Sequence, residues 1–148
     1  MVAKAFRSFL KLVLYLIFLA GAIIYTPKVL SKVLDTTYPL ATVTSGSMWP
    51  VLKVNDLILV KGLKGQEAEI GQIIIFSNQE GFTIHRLIRK ENNMLVTKGD
   101  ANNVEDRPIN PDQVLGSVVY IKNKIVRIPY LGLIARNMGP KIGKLQKK

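Results

Sequence analysis

The hydrophobic pattern divides the chain into three stretches. The first, Leu12 to Tyr25, contains no charged residue and follows Lys4, Arg7 and Lys11. Counted from Phe9, with the Lys11 stem in the apolar layer and its ammonium at the headgroups, the run approaches the roughly 20 residues a bilayer needs. It is apolar all round rather than on one face, so residues 1–27 predict an uncleaved membrane anchor helix and not a core helix. A cleavable leader would use Ala20-Gly21-Ala22 as its small-residue site, but Ile23, Ile24 and Tyr25 continue the run with no polar region. Residues 28–40 form a connector. Val29, Leu30, Val33 and Leu34 share a helical spacing, which extends the anchor or lies along the membrane surface, and Pro39 ends it.

From residue 41 the period changes to that of strands. Ala41–Thr44, Asp56–Val60, Gly71–Phe76, Phe82–Arg89, Met94–Thr97, Leu115–Ile121 and Ile125–Ile128 are short runs rich in aliphatic or β-branched residues. Asn78-Gln79-Glu80-Gly81, Glu91-Asn92-Asn93 and Asn123-Lys124 supply hairpin turns between them. Many short strands with tight turns predict a mainly β domain over residues 41–128, a partly open barrel or sandwich. Residues 129–148 hold an apolar piece, Tyr130–Ala135, too short to span a bilayer. Arg136, Lys141, Lys144, Lys147 and Lys148 follow it. This basic tail is either a solvated end or an interfacial segment, each cation worth about 1 kcal/mol near anionic lipid.

Composition sharpens this division. A length of 148 residues suits one domain with an appendage, and 21% charged residues is ordinary for a soluble domain. The positive mean hydropathy of +0.20 therefore reflects one concentrated apolar segment. The absence of cysteine excludes disulfides, thiolate metal sites and cysteine nucleophiles. A net charge of +11 suits either nucleic acid or anionic lipid. Many of the cations sit at the termini beside membrane-seeking segments, with few interleaved aromatics to stack bases, so the expected partner is the lipid bilayer and not nucleic acid. Three basic side chains before the apolar run, against Lys28 and Lys32 after it, bias the amino terminus modestly towards the cytoplasm.

Three stretches carry candidate chemistry. In Thr44-Ser45-Gly46-Ser47-Met48-Trp49-Pro50 a hydroxyl stands at the end of a β-rich run. Gly46 permits backbone conformations that a Cβ forbids, and Pro50 fixes the exit direction and biases Trp49 to an extended form. Taken alone, the stretch is ordinary loop chemistry and reads first as a surface turn. The single histidine, His85, is by itself a structural strand residue, but a serine hydroxyl needs a base. A free imidazole with pKa about 6.5 serves near neutrality, whereas a lysine needs strong desolvation. Thr97 to Pro108 holds Gly99, Asp100, Asn102, Asn103, Glu105 and Asp106. It reads as a self-bonded loop, or as the source of an aspartate that orients an imidazole; the calcium-loop spacing is missing.

Taken together, Ser45-Gly46-Ser47-Met48-Trp49-Pro50, His85-Arg86 and Lys98-Gly99-Asp100 with Asp106 resemble the conserved boxes of type I signal peptidases. They are similar to the archaeal and endoplasmic-reticulum branch, which includes sporulation-type Gram-positive relatives and carries histidine in place of lysine. The resemblance covers the chain from the anchor to about Tyr130. It implies Ser47 as nucleophile, His85 as general base, Asp106 as the partner of the histidine and Asp100 as a second acid. Ser45 would help bind the oxyanion beside the Ser47 N–H, and Met48 would pack beneath. The implied substrates are signal peptides of pre-proteins, bound extended with small side chains beside the cut, and no metal or cofactor is implied. The amino terminus would be cytoplasmic and the catalytic domain extracytoplasmic in a single-pass protein of the cell membrane, or of the endoplasmic reticulum in a eukaryote. Accessory subunits are left open. Trp49, Ala101 and Glu105 depart from common residues of the family, and the last two leave the choice between Asp100 and Asp106 open. The rival reading is a non-catalytic bitopic membrane protein with a partner-binding β domain. A self-cleaving regulator would need a lysine base in place of His85.

Overall fold

The computed structural model describes residues 2–79 and 81–138. Helix α1 spans Val2–Val33, 32 residues with Pro27 inside. Its segment Phe6–Val33 is long and apolar enough to cross a membrane, with mean hydropathy 2.1 and none of the most apolar window buried against the rest of the chain. Pro27 lacks the N–H that would bond the Ile23 carbonyl, and one residue earlier the Thr26 hydroxyl donates to Ala22 O at 2.6 Å. The helix therefore runs past residue 27 into the expected connector. The apolar face expected there is only partly covered: Leu30 and Leu34 are half-buried, while Val29 and Val33 remain exposed. α1 ends where Asp35 turns left-handed (φ 47°), a conformation short polar side chains tolerate. The Thr36 N–H then reaches back to Ser31 O at 3.1 Å, and the Ser31 hydroxyl donates to the Thr36 carbonyl.

Among the described residues nine strands follow, all paired antiparallel. They are β1 (Leu40–Thr42), β2 (Leu57–Lys61), β3 (Ile73–Asn78), β4 (Gly81–Glu91), β5 (Met94–Lys98), β6 (Val114–Val118), β7 (Tyr120–Ile121), β8 (Lys124–Ile125) and β9 (Arg127–Ile128). The main sheet runs β1-β2-β6-β3-β4-β5, with β9 also on β2, and β7 and β8 form a separate hairpin. β2 makes the corner. Its first half pairs with β1 and β9, and its last two residues, Val60 and Lys61, pair with Val118 and Ser117 of β6.

β3 explains why its sequence is continuously apolar rather than alternating. Ile73 and Ile75 enter a cluster with Val43, Met48, Leu52, Ile58, Val60 and Val118. Ile74 and Phe76 enter a second cluster, with Leu87, Leu95, Ile109 and Val114. A strand with both faces covered has no polar face to display.

The expected turn at Asn123-Lys124 lies one residue earlier, on Lys122 and Asn123, which both have positive φ (48° and 62°). The run Leu115–Ile121 is also broken: Val119 bonds Leu59 O and Val126 bonds Val119 O, so the chain leaves β2 for the β7–β8 hairpin and returns as β9. Beyond Tyr130, helix α2 (Leu131–Met138) docks on the domain instead of trailing from it. The Gly132 N–H bonds Asn55 O at 3.0 Å, and a Cβ there would stand 2.6 Å from the Thr42 methyl. Lys141, Lys144, Lys147 and Lys148 lie outside the described residues.

Candidate active site

The serine turn is fastened from below. Met48 is 1% exposed and Leu52 fully buried, both in the first core cluster. Trp49 N–H bonds Gly46 O at 3.0 Å and Leu52 N–H bonds Met48 O at 2.9 Å, closing a compact turn that includes a cis Trp49–Pro50 peptide. The flank is held by the loop after β5. Ala101 N–H donates to Ser47 O at 2.8 Å. Gly99 sits so close that a Cβ would fall 2.7 Å from that same oxygen. Glycine is needed at 99 for this approach. Gly46, by contrast, has open space around it and no left-handed φ, so the conformational demand expected of it is not observed.

These fastenings leave the Ser47 hydroxyl at the surface, half-buried, with Ser45 Oγ 3.1 Å away. Among the described residues the Ser47 N–H bonds no backbone carbonyl. Trp49 is 60% exposed beside them.

His85 lies on β4, opposite Ile74, and is 7% exposed, its ring 6.4 Å from that of Phe76 and tilted 64° to it. Its Nδ1 is 2.5 Å from Asp106 Oδ2. The same carboxylate oxygen accepts the hydroxyl of fully buried Thr97 at 2.7 Å. An ionised carboxylate only accepts, so Nδ1 carries the proton and Nε2 is left as the basic nitrogen. Thr97 is in register with Leu87, two residues from His85 on the same face of the strand. Asp106 N–H bonds Thr97 O at 2.8 Å, which brings the far end of the loop back to that face.

Asp100 goes elsewhere. It takes two parallel bonds from Arg86, Nε to Oδ1 at 2.8 Å and Nη2 to Oδ2 at 2.7 Å, while Arg86 Nη1 donates to Gly71 O at 2.7 Å. The hydrogen bonds that Arg86 donates to Asp100 hold its guanidinium above its ordinary range, so it stays charged at every working pH. No hydrogen bond joins Ser47 to His85 among the described residues. Serine–histidine bonds are often open in unliganded enzymes.

The structure thus brings Asp106 to His85, puts Ser45 beside Ser47, and sends Asp100 to Arg86. Thr97 and Arg86 are the two partners that sequence reasoning left without a role. A polar residue at a strand position facing the histidine was the available signal for Thr97. A half-buried serine at the surface with a neighbouring hydroxyl, and an imidazole oriented by a carboxylate, are the groups that acyl transfer uses.

A sequence profile described as Peptidase S24-like matches residues 21–119, which includes the serine turn, His85 and both aspartates. Among curated relatives, the signal peptidase complex catalytic subunit SEC11 of Metarhizium robertsii is 32% identical over 108 residues, 62% of this chain and 62% of that protein. The protein of the same name from Metarhizium acridum is 38% identical over 87 residues, 53% of this chain and 50% of its own length. That of Lodderomyces elongisporus is 31% identical over 134 residues, 80% of this chain and 78% of the relative. The matched region thus spans between half and two thirds of the two Metarhizium proteins. The chain belongs to the type I signal peptidase family, in its endoplasmic-reticulum-type branch.

Proposed function

We propose that the protein is a membrane-anchored serine endopeptidase that cleaves signal peptides from secreted or membrane pre-proteins. The observation that carries this is the exposed Ser45-Gly46-Ser47 turn, fastened by the Gly99–Ala101 backbone, in a chain whose buried His85 is already oriented by Asp106. In the reaction the Ser47 hydroxyl turns from Ser45 to His85 Nε2, which takes its proton as Oγ attacks the scissile carbonyl. The imidazolium is stabilised by Asp106 and returns the proton to the leaving amine. Water then enters by the same route and releases the acyl group. The Ser47 N–H and the Ser45 hydroxyl bind the oxyanion, a role in which losing one donor costs about 2.7–4 kcal/mol.

α1 holds the enzyme in the membrane as a single span, with the amino terminus cytoplasmic and the β domain on the outer side. Residues 1–27 form the core of this anchor, 41–128 the catalytic domain and 129–148 the basic tail. Confinement to one surface with the precursor raises their effective concentration. That the relatives are catalytic subunits of a signal peptidase complex supports further subunits and an endoplasmic-reticulum membrane. The test is cleavage of a radiolabelled secretory precursor by the purified protein in liposomes. Wild type should cut, and Ser47→Ala, His85→Ala and His85→Lys should not. Full activity in His85→Ala would overturn the base assignment, and full activity in Ser47→Ala the whole reading.

A further inference from the structure

The joint between α1 and the β domain is built around a glycine that no motif marks. Gly62, the residue after β2, donates its N–H to Leu34 O at 2.7 Å, at the very end of α1. A Cβ on Gly62 would stand 1.9 Å from the Asp35 carbonyl oxygen and 2.9 Å from its carbon. Both are backbone atoms, so no side chain can swing aside to make room. Two residues earlier, on β2 itself, the Val60 N–H bonds Pro39 O at 3.0 Å, so the segment between helix and sheet is clamped at both ends.

This clamp connects directly to the site. Lys61, adjacent to Gly62, lies opposite Ser117; Ser117 lies opposite Ile74; Ile74 lies opposite His85. One continuous cross-strand row therefore runs from the helix joint to the histidine, through β2, β6, β3 and β4. Strands pair at about 4.8 Å, so the row spans about 14 Å sideways with little displacement along the strands. The end of α1 and the imidazole thus sit at the two ends of one hydrogen-bonded row.

We propose that Gly62 is a positioning residue that sets which bond of the precursor is cut, by fixing the height of Ser47 and His85 above the end of the membrane helix. This rests on the peptidase reading above. An extended substrate rises about 3.3 Å per residue and repeats its side-chain direction every two residues. Loosening the joint by a few ångströms therefore moves the cut by one or two residues instead of merely slowing it. A Cβ at 62 pushes the Asp35 carbonyl from 1.9 Å to an ordinary contact beyond 3.4 Å, about half the rise of one substrate residue, and so forces the clamp open.

The experiment uses the full chain in liposomes and two readouts. Product amino termini from a precursor with small residues at several consecutive positions are read by mass spectrometry. The distance between spin labels on Ile24→Cys and Ile121→Cys, both exposed in a chain without native cysteine, is read by pulsed electron resonance. Gly62→Ala and a one-glycine insertion between Thr37 and Tyr38 are compared with wild type. The expected result is one narrow distance and one cut in wild type, and a broadened or shifted distance with cuts displaced by about one or two residues in both variants. Altered distances with the cut unmoved would overturn the specificity role. Unaltered distances in both variants, or a broad distance in wild type, would overturn the joint. A wild type that cuts nothing would overturn the peptidase reading and the specificity role with it, while the label distances still decide whether the joint is rigid.

Discussion

His85 and Arg86 are neighbours on one strand, and each holds an aspartate from the same loop, yet the two pairs are built for different work. His85 faces the cluster of Ile74, Phe76 and Leu87, and its contact with Asp106 is supported by the buried Thr97 hydroxyl. Arg86 points to the opposite face, where its fork grips Asp100 in two bonds and ties β4 to Gly71. The first pair orients an imidazole whose other nitrogen makes no hydrogen bond among the described residues. The second, made by a group that never loses its charge, fixes the start of the loop whose Gly99 and Ala101 hold Ser47. Strand alternation is the cause: consecutive side chains leave opposite faces, so adjacent bases cannot share one acid.

The comparison breaks most sharply at the two aspartates. Asp106→Asn should lower kcat by about 10⁴-fold, because an amide can favour the wrong imidazole tautomer, with the melting temperature little changed. Asp100→Asn should keep kcat within about tenfold of wild type and lower stability by about 1–3 kcal/mol, since Arg86 is left half-buried without its charged partner. Precursor cleavage and thermal unfolding, run on both variants, check this; the reverse ranking of kcat would exchange the two assignments. A third ion pair serves as a reference for purely structural loss. Asp56, 2% exposed, accepts Arg127 Nη1 at 2.6 Å and Lys53 N–H at 2.9 Å. Asp56→Ala should cost about 3–5 kcal/mol in denaturant titration while leaving kcat of the folded fraction unchanged.

Smaller effects sharpen the same contrast. Thr97→Val removes one of the two bonds to Asp106 Oδ2, and an expected loss of about 1.5 kcal/mol reads as about tenfold in kcat. Thr97→Ser should restore it, which a packing defect would not allow. Gly46→Ala meets no neighbour and needs no unusual φ, so its stability should change by less than about 0.5 kcal/mol in the same titration. A larger loss would mean that the serine turn is more constrained than its geometry indicates.

Much of this was legible in the residues. The uncharged run Leu12–Tyr25, the strand periods and the turn at Asn92-Asn93, where both φ angles are positive, all follow from local chemistry. The end of α1 was only half legible: the spacing of Val29, Leu30, Val33 and Leu34 extends the anchor, but the left-handed turn at Asp35 stops the helix before Pro39. Nor was the turn at Lys122-Asn123, because the residues that flank the β7–β8 hairpin, Val119 and Val126, are held by Leu59 of β2, a contact with no local pattern. α2 was hidden for a related reason: its apolar residues look like a tail until Gly132 meets Asn55 and Thr42.

The sequence by itself determined the kinds of groups present: a hydroxyl on a short turn, one imidazole, a loop of acids and an apolar helix ahead of a β domain. These are properties of composition, spacing and period, which act over a few residues. Only the tertiary structure decided that Asp106 rather than Asp100 meets the histidine, that Thr97 supports it, and that Gly62 joins the helix end to the row carrying His85. Each of those depends on which face a strand presents and how closely two backbones approach. Both are fixed by pairing between residues far apart in the chain.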